Sequence, residues 1–217
     1  MATPLDSRAA WLSVLLPGLG QWVQGRPAQA LRAGTVTLFL LALSLWIGRV
    51  GDRAVEVLIF MLLALPGWVL QAYDASLGPS VDGRDWQRTW KRVWDRGHDI
   101  RFLGLLLLIS AVNDSWIILA NPGYLLPFFC TKVDGVAGFL TKGISPALHL
   151  GVGYGFLRLR RWSLLLYFLY AAYGFTNGLI NLTCFGPGRI RNTLLAAIIV
   201  STAYILWRRR ILLAAPG

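Results

Sequence analysis

Apolar runs about as long as a bilayer is thick recur along this chain, and short arginine clusters separate them. A helix needs about 20 mostly apolar residues to cross the hydrocarbon. Six stretches read as such spans: Ala30 to Ile47, Ala54 to Tyr73, Phe102 to Ala120, Val136 to Leu157, Trp162 to Leu182 and the shorter Thr193 to Trp207. Only helices and closed barrels satisfy their own backbone in lipid. The pattern therefore predicts an all-α, polytopic integral membrane protein. Composition agrees where it bears on this. Only 14% of residues are charged, against about 25% in ordinary soluble domains.

One long polar run, Asp82 to Arg101, splits the chain into two apolar halves. On a helical wheel Trp86, Trp90, Val93 and Trp94 gather on one side, and Arg84, Arg88, Lys91 and Arg92 on the other. That predicts a cytoplasmic amphipathic helix in the membrane interface, its cations against anionic headgroups. Three parts follow: a half-helix with a hydrophobic hairpin (1–78), an interfacial linker (79–101) and a four-helix bundle (102–217). The net charge of +11 does not imply nucleic acid, because the cations sit in clusters between apolar runs. That placement follows the positive-inside rule. With the Trp-rich run inside, fourteen Lys and Arg fall on that side and five on the other, leaving aside Arg8 and Lys142. The C-terminus is then cytoplasmic. So is the N-terminus if Ala10 to Gln24, interrupted by Pro17-Gly18, does not cross. No small-residue cleavage site follows cleanly, so a retained N-terminus is expected.

This orientation puts both cysteines, Cys130 and Cys184, in outer loops. The outer face of a bacterial inner membrane is oxidising, so a Cys130–Cys184 disulfide is expected, with two free thiols as the alternative. Neither loop carries a histidine or a further cysteine, and no metal site is expected there.

The string LLPGLGQWVQGRPAQALRAG, with Pro17, Gly18, Gly20, Gln21 and Gly25, resembles the opening of small bacterial TM2-like membrane domains. In those, a PGxGQ turn precedes a hydrophobic hairpin closed by an Asp-Ala pair, and Asp74-Ala75 stands at that position. The resemblance covers about residues 10–78. It departs at Trp22-Val23, where the family has an aromatic pair. It implies architecture and little function. Read by themselves, the glycines make a tight turn with close backbone approach.

Ionisable groups inside spans are expensive and mark sites. Asp114 and Lys142 each fall about 9 Å inside the outer end of their spans, and Asn177 about 8 Å. Asp114 is expected to pair with Lys142, with Asn113, Asn177 and Thr176 joining an outer-leaflet polar cluster. His149 lies deeper, as a helix-to-helix hydrogen bonder, as a pigment or haem ligand, or as a proton carrier. Near the other hairpin, Glu56 is expected to pair with Arg53. Gly143, Ala147, Gly151 and Gly155 recur every four residues on the fourth span, and Gly174 and Gly178 on the fifth. Small residues at this spacing predict face-to-face packing of these two spans.

No HExxH, GxSxG, phosphate loop or CxxC occurs, and GVGYGF lies inside a span. The expectation is a non-enzymatic structural or accessory subunit of a bacterial inner-membrane complex. It would have bound lipid, other membrane subunits as partners, no cofactor and no nucleic acid. Two other classes stay open: a small transporter using Asp114 and Lys142, and a pigment-binding subunit using His149.

Overall fold

The computed structural model describes residues 5–50, 56–57, 59–80 and 83–214. The chain is all-helical, with 82% of the described residues in helices. It divides into two compact units, Met1–Asp95 and Arg96–Gly217. Where the sequence suggests a linker over 79–101, the division falls between Asp95 and Arg96.

In the first unit, helix α1 (Ser7–Leu15) begins at Asp6, whose Oδ1 accepts from Ala9 N at 3.0 Å, a side-chain N-cap. Pro17-Gly18 ends it, and the short helix α2 (Leu19–Val23) follows. The predicted half-helix is thus two helices with a turn between them. Gly18 has φ 91°, and a Cβ there would collide with the backbone of Ala30. Helix α3 (Pro27–Val50) starts on a proline, where a missing N–H costs nothing. Beyond it, Arg53 and residues 51–55 lie outside the described residues, and with them the expected Glu56–Arg53 pair. The second apolar run is a π-helical turn (Phe60–Ala64) leading into α4 (Leu65–Leu77). The register change stands just before Pro66, which cannot donate to the ladder. Helix α1 packs on α4, and α2 on α3. Helix α5 (Asp85–Asp95) covers only half of the polar run. Gly97, at φ 64°, separates it from the next helix.

The second unit has four long helices: α6 (His98–Ala120), α7 (Gly135–Leu157), α8 (Trp162–Phe185) and α9 (Arg189–Leu213). Two corrections to the span limits follow. Helix α9 runs on through Arg208–Arg210, and Cys184 stands on the last turn of α8. The core joins all four helices through Ile100, Val152, Phe156, Tyr167, Ala171, Ile198, Ile205 and Leu212. Among the described residues three helices, α3, α6 and α8, are long and apolar enough to cross a membrane. Their outer faces carry large apolar side chains such as Phe39, Trp46, Trp116 and Leu165, each about 60–70% exposed.

The small-residue pattern needs correction. Gly151 and Gly155 of α7 do meet Leu166 and Ser163 of α8, but Gly143 faces open space and Ala147 is exposed. Gly174 and Gly178 approach Ile198 and Leu195 of α9 instead of α7. A helix has several faces, and one four-residue repeat does not say which neighbour it meets. Helices α6 and α7 approach one another backbone to backbone. There a Cβ on Gly104 would stand 2.7 Å from Gly153 O, and one on Gly153 2.8 Å from Gly104 O.

Candidate functional site

Two polar clusters stand out, one in each unit. The first is built on Arg26, Asp74 and Asp85, all under 9% exposed. Arg26 Nη1 reaches Asp74 Oδ2 at 3.0 Å and Asp85 Oδ2 at 3.4 Å. Asp74 also accepts from Gln21 Nε2 at 3.3 Å and from Thr89 Oγ1 at 2.7 Å. Gln21 Nε2 donates to Gln71 O at 2.7 Å, and its Oε1 accepts from Ser13 Oγ at 2.9 Å. Gln71 Nε2 donates to Ser13 O at 2.6 Å. Asp85 accepts from Gln29 Nε2 and Ser80 N. The cluster therefore ties α1, α2, α3, α4 and α5 together. Arg26 Nε has no partner among the described residues, so the net is nearly but not fully satisfied.

Asp85 lies in a balance of opposing effects. Burial pushes its carboxyl up, while hydrogen bonds from Ser80 and Gln29 and the Arg26 charge push it down. The second group prevails, and the carboxyl is held below its ordinary value.

This cluster fixes the Trp-bearing helix. Asp85 and Thr89 form the buried face of α5, while Trp86 and Trp90 are 57% and 50% exposed. Trp90 stacks on Trp94 with ring centroids 6.2 Å apart. Lys91 is exposed and Arg92 half-buried. Arg88 departs from the expected outward cation row. Its Nη2 donates to Gly78 O and lies 3.5 Å from Asp85. The wheel separated tryptophan from arginine but did not show that Asp85 and Thr89 were the inward side.

The second cluster corrects the expected Asp114–Lys142 pair. Lys142 is buried at 5% exposure. It donates instead to the carbonyls of Pro122 and Tyr124, at 2.9 and 3.1 Å. These carbonyls belong to the loop after α6, where turn geometry leaves them free to cap an ammonium. Asp114 pairs with His149: Oδ2 lies 3.1 Å from Nδ1. On the other side of the ring, Nε2 lies 2.9 Å from Tyr170 OH. His149 thus joins α6, α7 and α8. Both ring nitrogens are engaged, so a metal or pigment would have to displace one of these partners.

Asn113 and Thr176 are exposed and stand apart from this pair. Asn177 serves another purpose. Its Oδ1 accepts from Phe129 N at 2.9 Å, and Asn181 Oδ1 accepts from Cys130 N at 2.9 Å. These bonds hold a hairpin of two short strands, β1 (Pro127–Phe128) and β2 (Thr131–Lys132). Its turn residues Phe129 and Cys130 have φ 45° and 65°, the left-handed region that side chains avoid. Cys130 forms the disulfide with Cys184, with Cα atoms 5.6 Å apart and a sequence separation of 54. The hairpin was not legible in the sequence because its turn is Phe-Cys rather than Asn-Gly. The amide pair Asn177 and Asn181, one helical turn apart, is the signal that marks it.

Fold and clusters together describe an all-helical chain with helices of membrane-crossing length and internal polar clamps. Compared with known family models, curated proteins and solved structures, the chain matches none.

Proposed function

We propose that this chain is a non-enzymatic structural or accessory subunit of a bacterial inner-membrane assembly. The observation that carries the reading is the buried Arg26–Asp74–Asp85–Thr89 clamp, which seats α5 on its unit and turns Trp86 and Trp90 outward. Rigid aromatic anchors beside exposed cations suit a membrane surface or a partner lying on it. Helices α7 and α9 and the π-turn with α4 complete six spans in this reading, with both termini cytoplasmic. The TM2-like likeness is part of the proposal. Its Gly18, Gly20, Gln21 and Asp74 are residues that the turn and the clamp require.

The test is affinity purification of the tagged full chain from bacterial membranes in mild detergent. Stoichiometric membrane subunits should co-purify, and the variant with Trp86, Trp90 and Trp94 all replaced by alanine should lose them or extract more readily. A chain that elutes alone, and whose triple variant extracts and elutes identically, contradicts the proposal.

A further inference from the structure

A line of polar side chains runs along the second unit, through a core that is otherwise apolar. It starts at Asp114, whose side chain is 31% exposed, and passes 3.1 Å to His149. His149 passes 2.9 Å to Tyr170 OH. Tyr167 lies three residues before Tyr170 on α8, the two rings 6.1 Å apart between centroids. Tyr167 OH is 2.9 Å from Ser201 Oγ and 3.0 Å from Thr202 Oγ1 on α9. Tyr204 follows Ser201 by three residues, and its OH is 2.7 Å from Asp99 Oδ2. Asp99 is 14% exposed and paired with Arg208 at 2.6 Å. Every step is either a hydrogen bond or an adjacent pair on one face of a helix.

The line returns to the helix on which it began. Asp99 and Asp114 are both on α6, Asp99 in its first turn and Asp114 six residues before its end, about 22 Å apart along its axis. That length is most of the hydrocarbon thickness of a bilayer, about 30 Å. Simple clamps between neighbouring helices need one polar pair at any depth. They do not need a succession of polar groups spaced along about 22 Å of helix, with a partly exposed carboxylate at each end of the line.

We propose that this line is a proton relay across the membrane, from Asp114 to Asp99. A proton on the Asp114 carboxyl passes to His149 Nδ1. The imidazolium releases its Nε2 proton to the Tyr170 oxygen as the Tyr170 hydroxyl proton moves on. The Tyr167 hydroxyl, Ser201 or Thr202, and Tyr204 repeat that exchange, and the Tyr204 proton reaches the Asp99 carboxylate and then water. One proton enters, one leaves, and no other bond is changed. The two steps within a helix, Tyr170 to Tyr167 and Ser201 to Tyr204, close by rotation of a side chain or through a water molecule. His149 is the centre of the relay because its two ring nitrogens face different partners, so one can take a proton from Asp114 while the other gives one to Tyr170. This inference goes beyond the accessory reading and does not depend on a partner.

The experiment uses the full chain alone, reconstituted into liposomes with a trapped pH-sensitive dye and a potassium gradient opened by valinomycin. The wild type should shift the internal pH faster than protein-free vesicles. Tyr167→Phe, which keeps the ring and removes only the hydroxyl, should fall to the protein-free rate, as should His149→Phe. Tyr124→Phe, off the line, should keep the wild-type rate. A wild type no faster than empty vesicles overturns the relay. So does a Tyr167→Phe variant, eluting as one species with its disulfide intact, that conducts like the wild type.

Discussion

Replacing Asp74 by alanine removes the acceptor that Arg26, Gln21 and Thr89 share. The carboxylate takes 3.0 Å and 3.3 Å bonds on Oδ2 and a 2.7 Å bond on Oδ1. Arg26 is only 8% exposed, so its charge would remain buried. Breaking one side of a buried ion pair costs about 3–5 kcal/mol. Asp85 Oδ2, at 3.4 Å from the same guanidinium, stays as a second counter-charge and places the expected loss toward about 3 kcal/mol. Thr89→Val removes one of the three bonds and leaves the charges paired, an expected loss of about 1–2 kcal/mol. Unfolding of both variants in detergent, followed by tryptophan fluorescence, compares the two directly, since Trp86, Trp90 and Trp94 sit on the clamped helix. An Asp74→Ala variant that loses no more than Thr89→Val refutes the reasoning, because the charge pair would then be worth no more than one hydroxyl bond.

Acid should loosen the same clamp. The Asp85 carboxyl is held below its ordinary value of 3.8, so its contribution is full above that value and is lost as pH falls through the lower folded one. Stability of the wild type measured against Asp85→Asn should converge at low pH and separate above it. Cys130 and Cys184 should react with a thiol reagent only after reduction. The Cys130→Ser/Cys184→Ser variant should lose up to about 4 kcal/mol, the loop-closure value for this chain separation, in a thermal or denaturant assay. Gly104→Leu should force α6 and α7 apart and destabilise by more than the about 1–3 kcal/mol of ordinary overpacking, because its Cβ meets backbone at 2.7 Å. Gly143→Leu, with open space around it, should be near neutral by the same assay.

Much of the architecture is decided by the sequence alone. Apolar runs of bilayer length point to helices, the form that satisfies its backbone within one segment, and the chain is helical. The Pro17-Gly18 break, the start of α3 at Pro27 and the stop at Gly78 are local chemistry and need no partner. The only two cysteines, both near connections between such runs, point to each other, and the disulfide is there. What the sequence left undecided depends on which side chains meet. The spacing puts Asp114 and Lys142 at matching distances from the loop that joins their helices, but the azimuth of each helix decides their partners. Asp114 turned to His149, and Lys142 found two loop carbonyls. The same holds for the small residues, where Gly104 and Gly153 met, the repeat on α7 met α8 only at Gly151 and Gly155, and the pair on α8 met α9. On the polar run, α5 presents its tryptophans outward because Asp85 and Thr89 complete a charge cluster made by Arg26 and Asp74. Those residues are far apart in sequence, and only tertiary structure brings them within bonding distance.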